Sequence, residues 1–107
     1  MRVVASRRVD DEIELVDRLR GGDESAFVAL ISRYQPRLLR LAEATVGSRS
    51  VAEEVTQDVW LAAFRGVDRF EGRSSLGTWL LHILLNRART AARRALPPLA
   101  RGRRRLV

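Results

Sequence analysis

The chain has 107 residues, room for one domain, and no cysteine, which excludes disulfides and thiolate metal sites and fits a reducing cytosol. Its 20 basic residues are all arginine, and they are unevenly placed: residues 1–72 hold 11 arginines and all 13 carboxylates, residues 73–107 hold 9 arginines and no acid. That segregation predicts a basic end that meets a polyanion and a mixed end with another task. The N-terminal apolar run, Val3-Val4-Ala5 between arginines, is too short for a secretory leader. The longest apolar stretch, "TWLLHILL", falls well short of the ~18 residues of a membrane span, so no membrane partner is expected.

Taken in chain order, the pattern is helical throughout, with neither strand alternation nor internal repeat. Residues 1–9 are expected to be a flexible N-terminus, followed by a helical domain over 10–95. Asp10 or Asp11 caps a first helix with Ile13, Val16 and Leu19 on its apolar stripe, and Gly21-Gly22 ends it. Asp23 caps a second, carrying Phe27, Leu30, Ile31 and Tyr34; Pro36 either kinks or splits it before Leu38, Leu39 and Leu41 resume the pattern to Gly47. Ser50 with Glu53 reads as a capping box opening a helix to about Arg65, with Val51, Val55, Val59 and Ala62 inward and Trp60 and Phe64 in the core. After the loop "GVDRFEGRSS", a last helix runs from about Ser75 to Ala95, where Pro97-Pro98 stops it. Residues 96–107 form a basic tail or the start of a linker. The fold class is all-α, a small bundle of four to five helices.

Catalytic chemistry has little to stand on. His82 is the only histidine, and no serine has a base at a recognisable spacing. Glu54 and Asp58 lie one turn apart, but a carboxylate metal site needs further ligands on facing helices, and none present themselves. Neither an enzyme activity nor a metal or cofactor is expected.

Two helix faces carry binding chemistry instead. On the helix over 50–65, the side opposite Val51, Val55 and Val59 bears Glu54, Gln57, Asp58 and Leu61. The bland reading is a solvated face; the leucine among the polar residues favours docking on another protein. On the last helix, Leu76, Leu80, Ile83 and Leu84 form the buried stripe, while Thr78, His82, Asn86, Arg89 and Arg93 recur at helical spacing on another face. Arginines for phosphate, asparagine for a base edge and Trp79 as a stacking surface suit nucleic acid. The loop before it brings Phe70, Arg73, Ser74 and Ser75 to the helix start and can wrap an extruded base.

The stretches "DESAFVALISRYQPRLLRLA" (23–42), "AEEVTQDVWLAAF" (52–64) and "FEGRSSLGTWLLHILLNRARTAARR" (70–94) resemble region 2 of bacterial sigma factors of the compact extracytoplasmic-function (ECF) group. The most specific element is Thr78-Trp79-Leu80 followed by Ile83 and Asn86, with Ala52-Glu53-Glu54 and Gln57-Asp58 upstream. The resemblance implies a region 2 helical bundle with two partners. One is core RNA polymerase, whose large-subunit clamp helices would meet Glu54, Gln57, Asp58 and Leu61. The other is promoter DNA, whose −10 element would be melted and its non-template strand, with a flipped base, held by Phe70, Arg73, Ser74, Ser75, Trp79 and Asn86. An anti-sigma factor is a further partner the resemblance implies, and the place of action would be cytoplasmic. Leu76 stands where the family commonly has an aromatic residue, and His82 where it commonly has arginine. No second bundle with a helix-turn-helix follows Pro98: a fragment, a protein working with a separate partner and a degenerate relative all stay open. Two rival readings remain: a regulatory module of the same fold that binds polymerase or an anti-sigma factor without opening promoters, and a general single-strand binder.

Overall fold

In the computed structural model, residues 2–95 are described, and the side chains of residues 11–94. The expected tail over 96–107 and its Pro97-Pro98 stop lie outside them. The elements are α1 (Arg2–Arg20), α2 (Glu24–Val46), α3 (Arg49–Gly66), a 3-10 turn (Val67–Arg69) and α4 (Leu76–Ala95). This is the all-α bundle that the periodicity predicts.

Each helix end follows from local chemistry; two ends differ from expectation, and the choice left open at Pro36 is decided. First, α1 begins at Arg2 rather than at Asp10 or Asp11. "RVVASRRV" holds neither glycine nor proline, so nothing stops the helix from running through both aspartates. Second, α2 stays one helix through Pro36. The proline leaves the carbonyl of Ser32 without its helical donor, but Ser32 and Pro36 are both exposed, so water can satisfy it. Third, the α3 cap is Ser48, whose Oγ accepts from the Val51 N–H at 3.4 Å; Ser50 and Glu53 do not form the capping box. Helix α2 ends at Gly47, in the left-handed region at φ 72°, so α3 can start two residues later.

The core is built from small and branched residues at helical spacing: Val16 and Leu19 of α1; Ala26, Leu30, Leu38 and Ala42 of α2; Ala52, Val55, Val59 and Ala63 of α3; Leu76, Leu80, Leu84 and Ala88 of α4. Each fully buried leucine contributes on the order of 1.5–3 kcal/mol. Buried Thr56 gives its hydroxyl to the Glu53 carbonyl at 2.9 Å, so it carries no polar debt. Helices α2, α3 and α4 pack on one another, while α1 lies mainly on α2 and the 3-10 turn.

Several apolar residues expected inside are on the surface. Phe64 is 62% exposed and Trp60 only half-buried. The inward stripe of α3 is Ala52, Val55/Thr56, Val59 and Ala63, and residues 60 and 64 lie about 100° round from 59 and 63. Phe64 instead rests its ring 4.6 Å from that of Phe27, and Trp60 donates its indole N–H to the Gln35 side chain. Ile13, Ile31 and Leu41 are exposed as well.

Candidate nucleic-acid interface

Thr78, His82, Asn86, Arg89 and Arg93 are all exposed and share one stripe of α4, opposite Leu80 and Leu84. At 1.5 Å per residue the stripe is about 22 Å long, the span of roughly six stacked nucleotides. Ser75 acts as the helix cap: its Oγ accepts the Thr78 N–H at 3.1 Å and its carbonyl the Trp79 N–H at 3.0 Å. Among the described residues, the Asn86 amide has no side-chain partner, so its donor and acceptor both face outward.

The loop departs from expectation at its aromatic residues. Phe70 is 7% exposed, with its ring centroid 5.1 Å from that of half-buried Trp79. The 3-10 turn directs Phe70 inward, where it packs against Trp79 and forms part of a cavity wall instead of standing free on the surface. Arg73 and Ser75 are exposed and Ser74 half-buried. Gly72, at φ 74°, takes the backbone through a turn that a side chain would strain.

Helix α1 fastens this loop at both ends. The Glu12 carboxylate accepts the Leu76 N–H at 2.8 Å, satisfying one of the open donors of the first turn of α4. Arg20 donates to the carbonyls of Val67 and Phe70 at the other end. Between these ties lies a cavity of about 300 Å³ with Ile13, Val16, Phe70, Gly72 and Ser74 among its walls. Glu12 and Arg20 were not singled out in the sequence, because their partners are 64, 47 and 50 residues away. The available signal was a charged pair on an otherwise ordinary amphipathic helix.

The four docking candidates on α3 are all exposed, but they straddle its ridge. Gln57 and Leu61 line an apolar groove of about 710 Å³ against α2, with Phe27, Val28, Ile31, Trp60 and Phe64. Glu54 and Asp58 face α4 instead, across a groove of about 600 Å³ that Asn86, Arg87 and Arg94 also line. The two predicted surfaces therefore meet at Asn86. Among the described residues no cluster of three or more metal-ligating side chains forms, and no helix is long and apolar enough to cross a membrane.

This geometry has known counterparts. The profile of Sigma-70 region 2 matches residues 30–96. The RNA polymerase sigma-H factor of Pseudomonas aeruginosa is 34% identical over 95 residues, which are 89% of this chain and 46% of that protein. The ECF RNA polymerase sigma-E factor of Escherichia coli K12 is 37% identical over 84 residues, 78% of this chain and 43% of that one. The chain thus spans about half the length of the curated relatives it matches. A solved NMR structure of an engineered region 2 of sigmaE in complex with GTAAAA aligns with a TM-score of 0.68 at 33% identity, covering 88% of this chain and 90% of that one. Profile, relatives and solved fold agree along nearly the whole helical domain, and the chain belongs to the sigma-70 family as a region 2 of the ECF group.

Proposed function

We propose that this domain binds core RNA polymerase through α3 and reads the non-template strand of the promoter −10 element along α4 in transcription initiation, without catalysis. The observation that carries the reading is the continuity of the outward stripe of α4 with a braced, cavity-bearing loop at its start. A single strand laid along the stripe meets Arg93 and Arg89 as phosphate partners and Asn86 as a polar reader. It ends at the cavity behind Ser74, where an extruded base finds Ile13 and Phe70 as apolar walls. The carboxylates of Glu12 and Asp17 line the same cavity and accept from exocyclic amino groups, which favours adenine or cytosine over thymine. Polymerase meets Gln57 and Leu61 with the apolar groove, and Glu54 and Asp58 on the other flank. The clamp helices of the large subunit fit such a groove, since an amphipathic helix supplies apolar and charged residues at matching spacing. An anti-sigma factor would compete for the same exposed apolar residues.

The test is a pair of titrations on the 107-residue chain. Asp58→Arg should weaken binding to core polymerase roughly tenfold, by reversing a charge at the interface. Asn86→Ala should cost roughly 1–3 kcal/mol on a cognate −10 strand and much less on a scrambled one. Binding to core that survives together with equal affinity for both strands in the unaltered chain would leave only the regulatory-module reading.

A further inference from the structure

A third charged feature lies beside these surfaces. The end of α3, the 3-10 turn and the middle of α4 each bring one arginine, Arg65, Arg69 and Arg87, to the rim of a cavity of about 490 Å³. Ala62 and Gly66 add no bulk, and Asp58 and Leu61 close the side toward the outer face of α3. All three arginines are exposed, and among the described residues none is in an ion pair. Three other arginines find carboxylates, Arg18 with Asp23, Arg49 with Glu43 and Arg73 with Glu71, whereas Arg33, Arg37, Arg40 and Arg89, like the cluster, are in no ion pair among the described residues. Three guanidinium groups gathered at one hollow repel one another, with only Asp58 to offset them, and their planar forks match oxyanions.

We propose that this arginine cluster receives carboxylate side chains of the polymerase segment that docks on α3. The inference rests on the reading of α3 as the polymerase face and adds the chemistry of its partner. Three observations favour a protein carboxylate over a nucleic-acid phosphate. The cavity shares Leu61 with the apolar groove and Asp58 with the groove toward α4, so a segment seated on α3 passes directly over it. Arg87, next to Asn86, is turned about 100° round α4 from it, toward α3 and away from the strand-reading stripe. The cavity also has no aromatic wall on which a base could stack. The partner segment should therefore present acidic residues beside an apolar stripe, and a basic residue toward Asp58.

The experiment compares two double charge reversals in the 107-residue chain, R69E/R87E and R37E/R40E. Arg37 and Arg40 are exposed on α2 and line none of these cavities, so the second pair changes net charge equally without touching the cluster. Both are titrated against core RNA polymerase and against a −10 single strand, with helicity checked by circular dichroism. R69E/R87E should weaken core binding roughly tenfold more than R37E/R40E does, while the two weaken the strand alike. Equal effects of the two pairs on core would overturn the site as mere net charge. A selective loss of strand binding in R69E/R87E would make it a phosphate site instead. If Asp58→Arg weakens core and R69E/R87E does not, the cluster alone is ruled out. If the unaltered chain does not bind core at all, the polymerase reading and this site fall together.

Discussion

Asp23 ties two helices together with one carboxylate. Its oxygens accept from the Ser25 hydroxyl and N–H, from the Ala26 N–H and from the Arg18 guanidinium at 2.9 Å. These donors, the Ser25 contact first and Arg18 next, favour the ionised form and lower its pKa from 3.8 to about 2. The folded-state value lies below the unfolded one, so the stabilisation is complete above about pH 4 and is lost as pH falls toward 2. Asp23→Asn should lower the thermal midpoint at neutral pH and make its fall between about pH 4 and 2 shallower, as read by circular-dichroism melts across that range. Glu12 is the other carboxylate with a structural task, and its effect should reach recognition. Glu12→Ala leaves the Leu76 N–H without its protein acceptor, a loss of about 1 kcal/mol in stability. It should also lower the ratio of cognate to scrambled strand affinity by loosening the start of α4. Glu12→Gln keeps an acceptor at the same reach and should restore most of that ratio. A ratio unchanged in Glu12→Ala would show that the tie supports the fold only.

At the scale of elements, α4 is held close to α2 by what it lacks. A Cβ on Gly77 would stand 3.2 Å from Tyr34 Cε1 and 3.3 Å from its hydroxyl, so glycine permits the approach of the first turn. Gly77→Val should therefore cost roughly 1–3 kcal/mol in denaturant unfolding by overpacking. In Gly77→Ala, a gain of about 1 kcal/mol in helix propensity opposes a small shift of the Tyr34 ring, leaving stability within about 1 kcal/mol of the parent. This role is hidden in the sequence, because Tyr34 is brought to Gly77 by tertiary packing. The same division runs through the molecule. The helices, the Asp23 cap and the outward stripe of α4 were legible, since each depends on neighbours within a turn or two. The extent of α1, the Ser48 cap, the burial of Phe70 and the exposure of Phe64 were not. The last three turn on which of two adjacent stripes meets a neighbouring helix, or on which of several serines caps, and periodicity alone does not rank those choices; the length of α1 follows from the lack of a stop residue before Asp10.

At the scale of the whole molecule, the two recognition surfaces meet at Asn86 and spread from there around a shared core. Leu61, 55% exposed in the α2–α3 groove, does not line the groove that holds Asn86. Leu61→Asp should accordingly weaken core polymerase roughly tenfold or more and leave −10 strand affinity within about twofold, measured by parallel titrations. A matching loss on both partners would mean that the surfaces are one. The ties from α1 to the recognition loop have a different consequence. Helix α1 gives the core Val16 and Leu19, while the leucines of α4 pack among α2 and α3. Among the described residues α1 gives the core fewer side chains than α2, α3 or α4, and lifting it away removes Glu12 and Arg20 from the loop in the same event. Loop order and α1 attachment form a single cooperative unit, separable from global unfolding. Amide protons flanking Phe70 and Leu76 should exchange through the same low-energy opening as those of α1, well before those of α3.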